Sequence, residues 1–239
     1  MKTNKIPKIA LALDNISEQE SIASLIRATS EWISVYKIGL EQFVRFGPPV
    51  IELVRSAEKE IFLDLKLHDI PNTVGKAVES AIALGVEYLT IHTQGGIAMM
   101  EAAVAAKRKH PAAKTALMGV TLLTSIGEES LRNELQVQSS SAAYVRHLAQ
   151  LAVEAQIDGI VCSAADLEVV TPVLPEYFEV ITPGIRPSGT DVNDQKRVAT
   201  PKQAVQGGAT VLVVGRAITA AFDPGTAAKL LFKELTTSF

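Results

Sequence analysis

Short apolar runs alternate with longer amphipathic stretches from one end of the chain to the other. The runs, rich in Ile, Val and Leu, predict strands at Lys8 to Asp14, Val35 to Leu40, Ile61 to Leu67, Tyr88 to His92, Thr115 to Leu122, Gly159 to Ser163, Val180 to Pro183 and Val211 to Gly215. Most are apolar at consecutive positions rather than at every second one, as a parallel sheet covered by helices on both faces requires. Between the runs the apolar spacing changes to the helical period. Ser17 with Glu20 three residues on marks a helix start, and Pro71 stands at the first turn of a helix running through Ala83. Further helices are expected over Ile97 to Lys109, Ser140 to Ala155, Ala165 to Val170, Pro201 to Gln206 and Thr226 to Thr236, with Ser139-Ser140-Ser141 as a turn and N-cap.

Eight strand-helix units in 239 residues match a (β/α)8 TIM barrel, an α/β fold for which roughly 250 residues is typical. A doubly wound open sheet is the competitor. It would carry a Gly-x-Gly-x-x-Gly turn after its first strand, where Asp14-Asn15-Ile16-Ser17 stands instead. No Ser/Gly-rich linker or charge block breaks the pattern, so residues 1–239 are expected to form one domain.

Composition narrows the partners. At 47% hydrophobic and 21% charged the chain is not a disordered one. Its 23 basic and 26 acidic side chains give a net charge of -3, which supplies no global field for nucleic acid or an anionic membrane. An anionic ligand therefore has to be met by a few locally placed cations. No apolar run approaches the ~20 residues that cross a bilayer. The single cysteine, Cys162, has no intrachain partner and reads as core filler, which fits a reducing, cytoplasmic setting. His68, His92, His110 and His147 show no metal-ligand spacing, although His68 adjoins the segment described next. Lys107-Arg108-Lys109-His110 is a basic run at a helix end, suited to the helix dipole rather than to nucleic acid.

Ile61-Phe62-Leu63-Asp64-Leu65-Lys66-Leu67 places charge inside an apolar strand. Side chains two apart share a face, so Asp64 and Lys66 point one way and Leu63, Leu65 and Leu67 the other. In a barrel the leucines would face the helices, and the charges the axis near the C-terminal rim, where active sites of this fold are built. A lone Asp-x-Lys is equally a buried structural ion pair or a solvated edge. Here Lys37 also lies inside an apolar strand, Asp14 ends the first, and Asp69 follows Lys66 by three residues. Burying charge is unfavourable unless each group is paired. So many charges at the ends of three consecutive strands point to function.

Asp64-x-Lys66-x-x-Asp69-Ile70-Pro71-Asn72-Thr73, with Ala12-Leu13-Asp14 upstream and Lys37-Ile38-Gly39 between, resembles the orotidine 5′-phosphate decarboxylase family. The likeness continues through Leu123-Thr124-Ser125, Pro183-Gly184-Ile185-Arg186-Pro187 with Gln195, and Val214-Gly215-Arg216-Ala217-Ile218, in the family's order and across the whole chain. Related phosphosugar decarboxylases and synthases share Asp-x-Lys-x-x-Asp. Ile-Pro-Asn-Thr and Pro-Gly-Ile-Arg-Pro separate them.

The resemblance implies loss of CO2 from C6 of orotidine 5′-phosphate to give UMP, with no cofactor and no metal. Lys66 is expected to stabilise and protonate the carbanion-like C6, held by Asp64 and Asp69, with Lys37 extending the charge array. Asp14 and Lys37 would contact the ribose hydroxyls, and Thr124 and Ser125 the pyrimidine edge. Pro183, Arg186, Gln195, Gly215 and Arg216 would hold the phosphate, with the polar stretch from Arg186 to Val198 closing as a lid. In the family Asp69 and Thr73 reach the neighbouring subunit's site, which implies a homodimer. The alternatives are a metal-dependent sugar-phosphate decarboxylase or synthase on the same scaffold, and a noncatalytic nucleotide-binding barrel.

Overall fold

The computed structural model describes residues 6–186 and 199–237. Eight parallel strands close into a barrel in chain order: β1 (Lys8–Ala12), β2 (Val35–Gly39), β3 (Glu60–Leu67), β4 (Tyr88–His92), β5 (Ala116–Val120), β6 (Gly159–Val161), β7 (Glu179–Thr182) and β8 (Val211–Val214). β8 pairs back onto β1, and helices intervene between successive strands, so the architecture is the expected (β/α)8 barrel.

Strand parity explains why the runs are apolar throughout. Outward residues such as Leu11, Ile38, Leu63 and Ile91 join Ile22, Val74 and Leu231 of the helices in one large buried cluster. Inward residues, among them Ala10, Val35, Phe62, Tyr88, Met118 and Val213, form a second cluster that fills the barrel. Both faces are thus removed from water, which is the main source of the fold's stability. Small side chains on β1 leave room for Phe62 and Tyr88, whose rings meet edge to face at 5.9 Å between centroids. At each end of the barrel the inward positions become polar: Lys8 and Glu60 at the N-terminal mouth, Lys37 and Asp64 at the C-terminal one.

The helix expected from Pro71 spans Pro71–Ala83, and Pro201–Gln206 also matches its expected limits. Ser140 caps the helix Ser141–Glu154 by accepting from the Ala143 N–H at 3.3 Å. Ser17 does not cap the first helix. That helix covers Gln19–Thr29, and the chain is still extended at Glu18, so Ser17 sits one residue too early to reach the first turn. Two short helices unmarked by the sequence pattern, Leu40–Phe46 and Pro49–Arg55, lie between β2 and β3. The first of these starts directly from Gly39 without a side-chain cap, and seven residues give too few turns for the period to show.

Candidate active site

At the C-terminal mouth the charges form an alternating row. Lys66 Nζ donates to both Asp64 oxygens at 2.8 Å. Lys37 Nζ lies 2.9 and 3.1 Å from the two oxygens of Asp14 and 3.6 Å from Asp64 Oδ2. Lys37 and Asp64 are each only 8% exposed. Burial alone would push the Asp64 carboxyl up. The charges of Lys37 and Lys66, with hydrogen bonds from Lys66 and Thr90, outweigh that and hold it below the ordinary carboxylate range. The row also explains Gly39, since a β-carbon there would stand 2.6 Å from Asp14 Oδ1 and 3.1 Å from Lys37 Nζ.

Lys66 leaves the regular strand. Its φ is +52°, a left-handed value that a long L side chain rarely adopts, and the β3–β4 register shifts between Leu63 and Leu67. At this break the Lys66 N–H donates to Thr90 Oγ1 at 2.8 Å, and that hydroxyl donates to Asp64 Oδ1 at 3.0 Å. The family motif does not contain Thr90. Its sequence signal is a polar residue at an inward position of Tyr88-Leu89-Thr90-Ile91-His92.

A cavity of about 820 Å³ opens over this row. Asp14, Lys37, Asp64 and Lys66 border it together with Thr124, Pro183, Gly184, Arg186, Gly215 and Arg216, and Phe62, Val120, Val161 and Val213 supply apolar wall. β7, which leads into the Pro183–Arg186 turn, stands four strands round the barrel from β3, so Arg186 comes to the cavity from the side opposite Lys66, whereas Arg216 follows β8, next to β1 and Asp14. Arg186 is 8% exposed, and among the described residues its Nε meets no hydrogen-bond partner. Burial and the neighbouring Arg216 charge both lower its pKa, an arrangement that an anion would relieve.

Other expected residues lie elsewhere. Ser125 is exposed and outside the cavity wall. Asp69 does not brace Lys66 within this chain: it is exposed and its Oδ1 accepts from the Ile70 N–H at 2.7 Å, while Thr73 is exposed on the first turn of the following helix. Gln195 and the expected lid, residues 187–198, fall outside the described residues. Cys162 is a buried free thiol on the cavity wall, its pKa pushed up by burial. His92 is buried with its ring 5.2 Å from that of His68, and its pKa is lowered to about 4 by burial first and then by His68 and Lys66, against the opposing pull of Asp64. Among the described residues no three His, Cys, Asp or Glu side chains gather as metal ligands, and no helix is long and apolar enough to cross a membrane.

Known proteins place this geometry. Residues 7–231 match the model of the orotidine 5′-phosphate decarboxylase / HUMPS family. The orotidine 5′-phosphate decarboxylase of Moorella thermoacetica is 40% identical over 232 residues, covering 95% of this chain and 92% of its own length. That of Saccharophagus degradans is 42% identical over 229 residues, covering 96% and 95%. The crystal structure of the enzyme from Lactobacillus acidophilus superposes with a TM-score of 0.82 at 33% identity, over 96% of this chain and 99% of that one. With the Asp14, Lys37, Asp64 and Lys66 row and the paired arginines at the mouth of one closed barrel, the chain belongs to the orotidine 5′-phosphate decarboxylase / HUMPS family.

Proposed function

We infer that this chain converts orotidine 5′-phosphate to UMP and CO2 in pyrimidine biosynthesis, as one (β/α)8 domain using neither metal nor cofactor. The observation that carries the reading is the Lys66 ammonium, fixed on Asp64 at the wall of a cavity that Arg186 and Arg216 also line. In the reaction the bond from C6 to the carboxylate breaks. CO2 departs, and the electron pair stays on C6. The Lys66 ammonium opposes that charge and then gives C6 a proton, after which the amine regains one from solvent. Because Asp64 already holds the ammonium, little reorganisation remains for the moment of bond cleavage.

The remaining roles follow the lining, except for Ser125 and Gln195, which rest on the family motif. Arg186 and Arg216 would bind the phosphate beside Pro183 and Gly215, with Gln195 joining them, Asp14 and Lys37 the ribose hydroxyls, and Thr124 with Ser125 the pyrimidine edge. Binding energy gathered at the phosphate is then available to the reacting ring. The working form is a homodimer in the cytoplasm. Asp69 and Thr73, exposed in this chain, would complete the partner's site, and Ile70 and Leu40, 67% and 59% exposed just beyond β3 and β2, would lie under the second copy. The test is the ultraviolet absorbance of orotidine 5′-phosphate with purified protein in excess EDTA and no added metal. Conversion at full rate is expected, and an unchanged spectrum, or a rate restored only by a divalent cation, overturns the reading.

A further inference from the structure

We propose that Thr90 is a positioning residue for the proton-donating lysine, its hydroxyl tying the Lys66 backbone and the Asp64 carboxylate to β4; the role rests on the decarboxylase reading above.

The argument starts from the register. Leu63 of β3 pairs with Leu89 of β4 and Leu67 pairs with Ile91, so Asp64, Leu65 and Lys66 together face the single residue Thr90. A regular parallel ladder would satisfy the N–H groups of β3 with carbonyls of β4. At Lys66 that pattern fails, and a side-chain hydroxyl substitutes. A hydroxyl has one proton to give and lone pairs to accept with, which fixes the directions. Thr90 Oγ1 accepts from the Lys66 N–H at 2.8 Å and gives its proton to Asp64 Oδ1 at 3.0 Å. Lys66 Nζ returns to the same carboxylate at 2.8 Å, closing a ring of hydrogen bonds through both ends of one lysine.

The ring does two things for the site. It holds Lys66 at φ +52°, a conformation that persists only where surrounding structure imposes it. It also gives Asp64 a neutral donor on a neighbouring strand, which fixes the carboxylate plane that holds the Lys66 ammonium. Thr90 is fully buried, so no water replaces its hydroxyl once it is lost. Thr90 is absent from the cavity lining, so its effect passes through Lys66 and Asp64 and appears in kcat rather than in KM.

The test compares the parent with Thr90→Val, of nearly the same shape without the hydroxyl, and Thr90→Ser, which keeps it. Steady-state kinetics are joined to hydrogen exchange of the Lys66 amide by NMR, a readout that needs no substrate. Losing a hydrogen bond to a charged group should lower kcat of Thr90→Val by about 10- to 100-fold, with KM within about threefold. Thr90→Ser should stay within about threefold of the parent in kcat. The Lys66 amide should be protected in the parent and in Thr90→Ser and exchange freely in Thr90→Val. A Thr90→Val enzyme with parental kcat, a Thr90→Ser enzyme as impaired as Thr90→Val, or equal amide protection in all three overturns the proposal. Should Thr90→Val not fold, Thr90→Cys takes its place under the same criteria. A parent that leaves orotidine 5′-phosphate intact defeats the decarboxylase reading, while amide exchange still decides whether Thr90 holds Lys66.

Discussion

Both mouths of the barrel hold buried-facing ion pairs, and only one of them is built to react. At the N-terminal mouth Lys8 Nζ donates to both oxygens of Glu60, at 2.9 and 2.7 Å, and to the Tyr88 hydroxyl at 2.9 Å, which uses all three of its protons. Lys8 and Glu60 sit in unbroken register with Val211 and Val35. Burial would lower the Lys8 pKa, and Glu60 with Tyr88 more than offsets it, so that cluster is satisfied as it stands. At the C-terminal mouth the Lys66 ammonium donates to the two oxygens of Asp64, borders the cavity, and belongs to a residue that stands where the ladder breaks. The difference lies in the adjoining cavity and in backbone conformation. Charge itself is common to both ends.

Three measurements break or sharpen this contrast. Lys66→Ala should lower kcat by more than about 10⁴-fold while UMP still binds, since in the proposed mechanism one group both stabilises charge and delivers the proton. Its counterpart, Lys8→Met, should leave kcat within about twofold and lower unfolding free energy by about 1 kcal/mol, because the Lys8 and Glu60 side chains are 39% and 35% exposed and water screens their pair. Decarboxylation by Lys66→Ala at the parental rate, or a large loss of kcat in Lys8→Met, would erase the distinction. Arg216→Ala, elsewhere on the cavity wall, should raise KM for orotidine 5′-phosphate by about 30-fold through lost charge-assisted bonds to phosphate. An unchanged KM removes Arg216 from the phosphate site.

The smallest effect concerns pH. The folded pKa of His92 is about 4, below its ordinary value of 6.5. Between those values the unfolded chain binds more protons than the folded one, so stability falls as pH drops through this window. The expected slope is about 1 kcal/mol per pH unit, read from urea titrations between pH 6.5 and 4.5. His92→Asn should flatten it. An equal slope in that variant would assign the acid loss to the carboxylates, with Asp64 acting only at lower pH because its folded pKa is depressed.

The barrel was legible because buried parallel strands leave continuous apolar runs, and eight of them in this length admit few other folds. Asp64, Lys66, Lys37 and Asp14 were legible as charge where only apolar residues are at home. Thr90 was not, since threonine is an ordinary strand residue and its role depends on a register shift that no local pattern encodes. The helix Leu40–Phe46 escaped for a related reason: it begins from Gly39, whose missing side chain serves the Asp14 and Lys37 pair rather than a helix cap. Asp69 shows the opposite case, a residue obvious in the motif that is exposed and turned to its own Ile70 N–H in the single chain.

The two surplus residues of β3 make this enzyme sensitive to the length of one strand. A lineage that lost two positions between Leu63 and Leu67 would gain an uninterrupted ladder and shed its left-handed residue, a mutation favoured by any screen for heat resistance. It would also delete Asp64 or Lys66, since only three residues stand between those leucines. Selection for hardiness and selection for turnover therefore pull this segment in opposite directions, and stabilisation campaigns should leave its length untouched.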